Sequence, residues 1–160
     1  TDFFKKIVTI TLLISFTPTV LFSEDNCDLK HLYVADSGVQ LGLFSVELAL
    51  NEAQWKKGLM HRQGILRSEG MLFIFDKAHE VTFWMKNTFF PLDIIFANDN
   101  GIIETVVTDT VPESLEPIFG GKNIRYVLEV SAGLSQQLGI TAGAELQHPL
   151  IPATQISSCL

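Results

Sequence analysis

The chain has 160 residues, room for one domain, and its 47% hydrophobic and 18% charged residues are an ordinary globular composition. Eleven basic residues against 18 acidic ones give a formal charge of -7. That balance, with no basic stripe in it, argues against a nucleic-acid partner and against a polybasic membrane-surface role, and otherwise serves solubility.

The N-terminal segment differs from the rest. Lys5 and Lys6 precede an apolar run from Ile7 to Phe16, then Thr17 to Ser23, then acidic Glu24 and Asp25, the three-part layout of a secretory signal peptide over residues 1–23. The small residue Ser23 marks the expected cleavage point. An uncleaved anchor is the competing reading, but the run falls short of the ~20 residues a spanning helix needs and meets Pro18. Cleavage would remove Lys5, Lys6 and Asp2, leaving 9 basic and 17 acidic residues. A periplasmic or secreted monomer is expected, with no stable membrane insertion after cleavage. Cys27 and Cys159 lie near the two ends, and a disulfide between them is preferred to two free thiols in an oxidising compartment.

Residues 24–36 read as a mobile lead-in, although His31 to Ala35 has strand character before the turn Asp36-Ser37-Gly38. One globular domain is drawn over 37–150 and a tail over 151–160. Phe44, Val46, Leu48 and Leu50 alternate with Ser45, Glu47 and Ala49, as in a half-buried strand, and Gly42 marks a bulge. Asn51 with Gln54 resembles a capping box for a helix from Glu52 to about Lys57, ended by Gly58.

Met71 to Phe75 is apolar on both faces and reads as a central strand, followed by a polar turn over Asp76 to Glu80. Val81 to Lys86 and Leu92 to Ala97 are then two strands of a hairpin around Asn87 to Phe90. Asn98-Asp99-Asn100-Gly101 turns the chain into Ile102 to Thr108, completing a meander. Pro112 to Lys122 reads as a long surface loop. Arg125 to Val130 is a further strand, Ser131 caps a short helix that Gly139 terminates, and Glu145 to His148 closes the domain. The expected class is α+β, predominantly β: one curled sheet or open barrel of about seven strands with two short helices.

The order Gly58-Leu59-Met60 with Arg62, Gly70-Met71-Leu72-Phe73, Phe83-Trp84-Met85-Lys86-Asn87-Thr88 with Pro91-Leu92-Asp93, and Tyr126-Val127-Leu128-Glu129 with Gly133, Gly139 and Gly143 resembles domain of unknown function 192, also called uncharacterised protein family 0127. The resemblance runs from about residue 44 to 147. It implies a small, compact and often exported domain without an established activity. The chain departs from the family pattern at Ala144, where an Asp commonly stands.

Lys86, Asn87 and Asp93 are polar groups set among large apolar side chains, where an unpartnered group costs about 1–3 kcal/mol. With Arg62 and Thr88 they are the candidate ligand-binding residues, Arg and Lys gripping an acidic or sugar-like ligand or a peptide and Asn87 orienting it. The structural alternatives are a Lys86–Asp93 pair across the hairpin, Asp93 held by turn amides, and an Arg62–Glu129 ion pair. Standard enzyme motifs are lacking. A cell-envelope hydrolase would have to use Asp93 or Glu129 as base, with Glu104 as a further carboxylate and Lys86 or Asn87 on the developing charge. Met60, His61 and Met85 offer soft ligands for Cu(I), but at no standard spacing, and methionines among Leu and Phe are usually core filler. No cofactor is expected. A non-catalytic binding domain is the leading expectation, ahead of the hydrolase and of an accessory module that meets a protein partner through an apolar surface.

Overall fold

Leu32 and Val34 are fully buried on either side of half-exposed Tyr33, because they belong to the first strand of a seven-stranded sheet. The computed structural model describes residues 28–151. The signal-peptide segment, both cysteines and the rest of the C-terminal tail lie outside the described residues.

Strand β1 (His31–Asp36) joins β2 (Val39–Ala49) through Ser37 and Gly38, both at positive φ (49° and 80°), the two-residue geometry that matches the twist of an antiparallel pair. The register slips between Val34 and Ala35, opposite Gly42 and Gln40, so the bulge falls where Gly42 suggested it. The lead-in drawn to residue 36 therefore stops earlier. β1 is paired on both edges, to β2 and to β7 (Glu145–Gln147).

Helix α1 (Glu52–Lys57) starts as its sequence indicates, with the Gln54 N–H donating to Asn51 Oδ1 at 3.1 Å and the Leu50 N–H donating to Gln54 Oε1 at 2.7 Å. Leu50 itself leaves the strand and is exposed.

The centre of the sheet departs from the meander. β3 (Glu69–Phe83) runs straight through the expected polar turn at 76–80, and β6 (Ile118–Ser131) begins inside the expected loop at 112–122. Each supplies the other's ladder, with register shifts between Ile74 and Thr82 that admit the polar residues as bulges. A polar run therefore remains in strand when a long partner satisfies its backbone. β4 (Leu92–Ala97) pairs with β6 and with β5 (Ile103–Val107), so β6 lies between β3 and β4 and these two form no hairpin.

The sheet order is β5-β4-β6-β3-β2-β1-β7, and β2–β3 is its parallel pair. An Ile102–Glu145 bridge, with Ile103 N–H donating to Ala144 O at 2.8 Å, brings the outer strands together into a nearly closed barrel. Ala144 is buried in this seam.

Alternation along the strands builds two cores. Leu72, Ile95, Tyr126, Leu128 and Val130 point inside the barrel with Leu32, Phe44 and Leu146. Met71, Phe73, Phe75, Ile94, Phe96 and Val127 point to the outer face, where Leu59, Met85 and Trp55 cover them. Gly120 makes the outer core close: a Cβ there would stand 2.1 Å from Phe96 Cδ1.

Helix α2 (Leu134–Leu138) ends at Gly139 in the left-handed conformation, as expected, but Ser131 is not its cap. The N-cap position is Gly133, which has no side chain to offer. The capping oxygens come from Asp93 on β4: Gly133 N–H donates to Oδ1 at 3.1 Å and Ser135 N–H donates to Oδ2 at 2.8 Å.

Candidate functional site

Glu129 interrupts the most apolar part of β6 and shares its outward face with Val127, among Met71 and Ile94 on the neighbouring strands. Its side chain is 5% exposed, and Oε2 has no hydrogen-bond partner among the described residues. Burial pushes its carboxyl up to about 8, opposed only in part by the positive charge of Arg62. At pH 7 the group is therefore mainly a neutral acid with a donor to offer.

An open cleft of about 660 Å³ lies over this carboxyl. α1 supplies Trp55 and β3 supplies Phe73, Phe75, Val81 and Phe83, while the turns after α1 and β3 bring Leu59, Met60, Lys86, Asn87 and Thr88. Gly58 ends α1 at φ 46°, where L residues are strained, and a Cβ there would stand 4.0 Å from Glu129 Oε2. The volume suits a small organic ligand, and mainly apolar walls around a few polar groups are usual for such sites.

Two turns at unusual backbone geometry hold the rim. His61 and Asn87 both have positive φ (65° and 55°), and His61 N–H donates to Asn87 O at 2.8 Å. Asn87 Nδ2 donates to Met60 Sδ at 4.0 Å. Thr88 N–H donates to Met85 O and Thr88 O accepts from Glu113 N–H at 2.9 Å, so the following loop braces the turn. Lys86 Nζ lies 5.1 Å over the exposed Trp84 ring.

The candidate residues divide into three groups. Lys86, Asn87 and Thr88 line the cleft together with Met60 and Glu129. Arg62 is held by Glu47 through both terminal nitrogens, at 2.5 and 2.7 Å, so the alternative of an Arg62–Glu129 ion pair gives way to Arg62–Glu47. Each raises the other's preference for charge: the Glu47 carboxyl is lowered and the Arg62 guanidinium raised by the shared hydrogen bonds.

Asp93 lies on the opposite face of the sheet. It is fully buried inside the barrel and accepts from the N–H groups of Asp109 (3.0 Å), Gly133 and Ser135. The expected Lys86–Asp93 pair is thereby corrected, since without a β3–β4 hairpin the two residues do not oppose one another. The backbone-amide alternative describes its surroundings, with amides from distant segments rather than the adjacent turn. Asp93 is level with Val130 and Glu129 with Ile94, so the two carboxylates are neighbours in register but separated by the sheet.

The soft-ligand set also divides. Met60 lines the cleft, Met85 is 1% exposed in the outer core, and His61 packs its ring edge-on to Phe89. Sequence reasoning missed the aromatic walls, which read as ordinary core residues. The one signal that could have found the cleft floor was a charged residue, Glu129, inside the apolar run 126–130.

The model of the family DUF192, described as Uncharacterized ACR, matches residues 33–148. The chain belongs to DUF192. The match begins earlier than residue 44, in keeping with β1 being part of the sheet. A protein of unknown function from Novosphingobium aromaticivorans has a crystal structure similar to this one, with a TM-score of 0.70 and 33% identity over 73% of this chain and 83% of that one. A crystal structure described as a candidate transcription regulator from Sinorhizobium meliloti is similar at a TM-score of 0.71 and 34% identity, covering 78% of this chain and 97% of that one. The comparison with curated proteins found no match.

Proposed function

We propose that this DUF192 domain binds a small organic ligand in the cleft above Glu129, with an apolar body against the aromatic walls and a polar group directed at the carboxyl. The observation that carries the reading is the unpartnered, buried Oε2 at the base of an open 660 Å³ cleft. Buried polar groups in folded proteins are ordinarily satisfied, and one left over inside a cleft calls for a partner from outside. Lys86 and Asn87 stand at the rim to orient that partner, and the buried Thr88 braces the turn that carries them. Arg62 and Asp93 have no direct part, because Glu47 and the α2 amides occupy them.

Both tryptophans of the chain, Trp55 and Trp84, line the cleft, so intrinsic fluorescence reports on it directly. The test is a titration with a panel of small organic probes, followed by amide shift mapping. Saturable quenching with shifts concentrated at Met60, Phe83 and Asn87 supports the reading. Shifts confined to the opposite end of the barrel, or no saturable probe at millimolar concentration, would sink it.

Acid–base chemistry at Glu129 is the second reading, favoured by a carboxyl held near pH 8 inside a cleft. Asp93 cannot assist it, since it faces the barrel interior, and the other carboxylates lining the cleft are Glu52, paired with Lys56, and Glu80. Loss of turnover of envelope glycans or peptides in Glu129→Gln, measured by mass spectrometry, would support it, and no turnover by the wild type would remove it.

Export belongs to the same proposal, resting on Lys5, Lys6 and the apolar run from Ile7 to Phe16. N-terminal sequencing of the protein recovered from periplasm or medium tests it. A start at Glu24 agrees with cleavage after Ser23, whereas an intact N-terminus in the cytosol contradicts export. A transcriptional role is not part of this reading, because the acidic balance provides no basic stripe.

A further inference from the structure

The aromatic walls are set at steep angles to one another. Trp55 and Phe75 lie 5.0 Å apart at 58°, and Phe73 and Phe83 lie 5.1 Å apart at 80°. Rings so tilted present both faces and edges to their surroundings, and a ring face carries negative potential. The base of the same cleft is the Glu129 carboxyl, with Oε2 unpartnered. Arg62, the cation that acts on it, is already engaged by Glu47 through both terminal nitrogens. Ring faces, and a carboxyl that makes no direct ion pair when it ionises because Arg62 is bound to Glu47, favour the same kind of occupant.

We infer that the cleft recognises a small organic cation, an ammonium group carrying an apolar substituent, with the ammonium held between the aromatic walls and the Glu129 carboxylate. The inference rests on the reading of the cleft as a ligand site and adds the charge of the ligand.

The wall already receives a cation at its rim, where Lys86 Nζ lies over Trp84. The other charged or titratable groups around the cleft are Glu52, Lys56 and Lys57 on α1 and His79 and Glu80 on β3. Lys56 is paired with Glu52 at 2.5 Å; Lys57, Lys86 and Glu80 leave the rim one positive charge in excess, and Glu129, once ionised, places a negative charge at the carboxyl itself. Without ligand, Glu129 keeps its proton up to about pH 8. An arriving ammonium takes over the proton's role as counter-charge, and that proton leaves to the buffer. Affinity consequently rises by up to about tenfold per pH unit below 8 and levels off above it.

Isothermal titration of the wild-type protein with three probes of similar shape tests this: choline, the uncharged 3,3-dimethylbutan-1-ol and the anionic 3,3-dimethylbutanoate. Choline should bind at least about tenfold tighter than the alcohol, the difference expected of a desolvated cation–π and carboxylate contact, and the carboxylate should not bind. At pH 7, runs in buffers of different ionisation enthalpy should show nearly one proton released per choline bound. Glu129→Gln should weaken choline at least about tenfold and leave the alcohol within about twofold. Equal affinity for alcohol and choline, or choline binding without proton release, overturns the cation assignment. Silence from all three, while other probes still perturb Met60, Phe83 and Asn87, overturns it too and leaves the ligand cleft standing. Silence from every probe removes both. The wild-type selectivity is decisive whether or not Glu129→Gln folds.

Discussion

Asp93 on β4 accepts the backbone N–H of Ser135 at 2.8 Å, capping a helix that begins 41 residues further along the chain. The same carboxylate accepts from Gly133 and Asp109, so one side chain joins the α2 turn, the loop after β5 and the interior of the barrel. Asp93→Ala would strand these donors. With Ser135 buried and Asp109 exposed, a loss of about 2–4 kcal/mol is expected. Urea denaturation measures it, and probe binding in the cleft should be unchanged in the folded fraction. An effect below about 0.5 kcal/mol would show that water replaces the carboxylate.

Glu129 makes stability fall as pH rises. Its folded value near 8 lies above the ordinary 4.5, so the folded state holds a proton that the unfolded chain has lost between those limits. Stability contributed by the neutral form is fully present below about pH 4.5 and is lost as pH rises toward 8, with a limiting slope of about 1.4 kcal/mol per unit. Denaturation midpoints for the wild type and Glu129→Gln between pH 5 and 9 should diverge, the variant being the flatter. Parallel curves would show that the acid is not held neutral.

Gly120 has no room for a side chain, because a Cβ would meet Phe96 Cδ1 at 2.1 Å. Phe96 is a fully buried core residue that cannot swing away at low cost. Gly120→Ala should cost about 3 kcal/mol or more, the upper end for overpacking. Phe96→Leu in the same chain should recover part of that loss. Additive penalties in the double variant would place the strain elsewhere.

Arg62 and Glu47 form a two-pronged pair whose Glu47 side chain is 61% exposed. Solvent screens it, so Arg62→Ala should cost only about 0.5–1 kcal/mol. The pair also shapes the cleft electrostatically, because Arg62 lowers the Glu129 carboxyl. Removing the guanidinium should therefore raise the Glu129 midpoint further, which carboxyl-carbon NMR titration would detect. An unmoved midpoint would show that this charge does not reach the cleft.

Features made by neighbours in sequence were legible before the fold was known. Asn51 with Gln54 starts α1, Asn98 to Gly101 turns β4 into β5, and Gly139 stops α2, because each is a local hydrogen-bond or φ requirement met by residues a few positions apart. The predominantly β class and the DUF192 membership were likewise written in strand alternation and motif order. Partner choice was not. Whether 76–80 turns or continues depends on β6, which arrives some 40 residues later, and that insertion of β6 between β3 and β4 moved Asp93 away from Lys86. Phe73, Phe75 and Phe83 have the same apolar character whether they fill a core or wall a cleft; only the open space over the outer face decides between the two. The sequence by itself thus determined the locally specified turns and helix ends, the predominantly β class, the family and the polar residues that needed partners. Tertiary structure decided which partner each received, because pairing across a sheet is set by long-range register and by the face on which a side chain emerges.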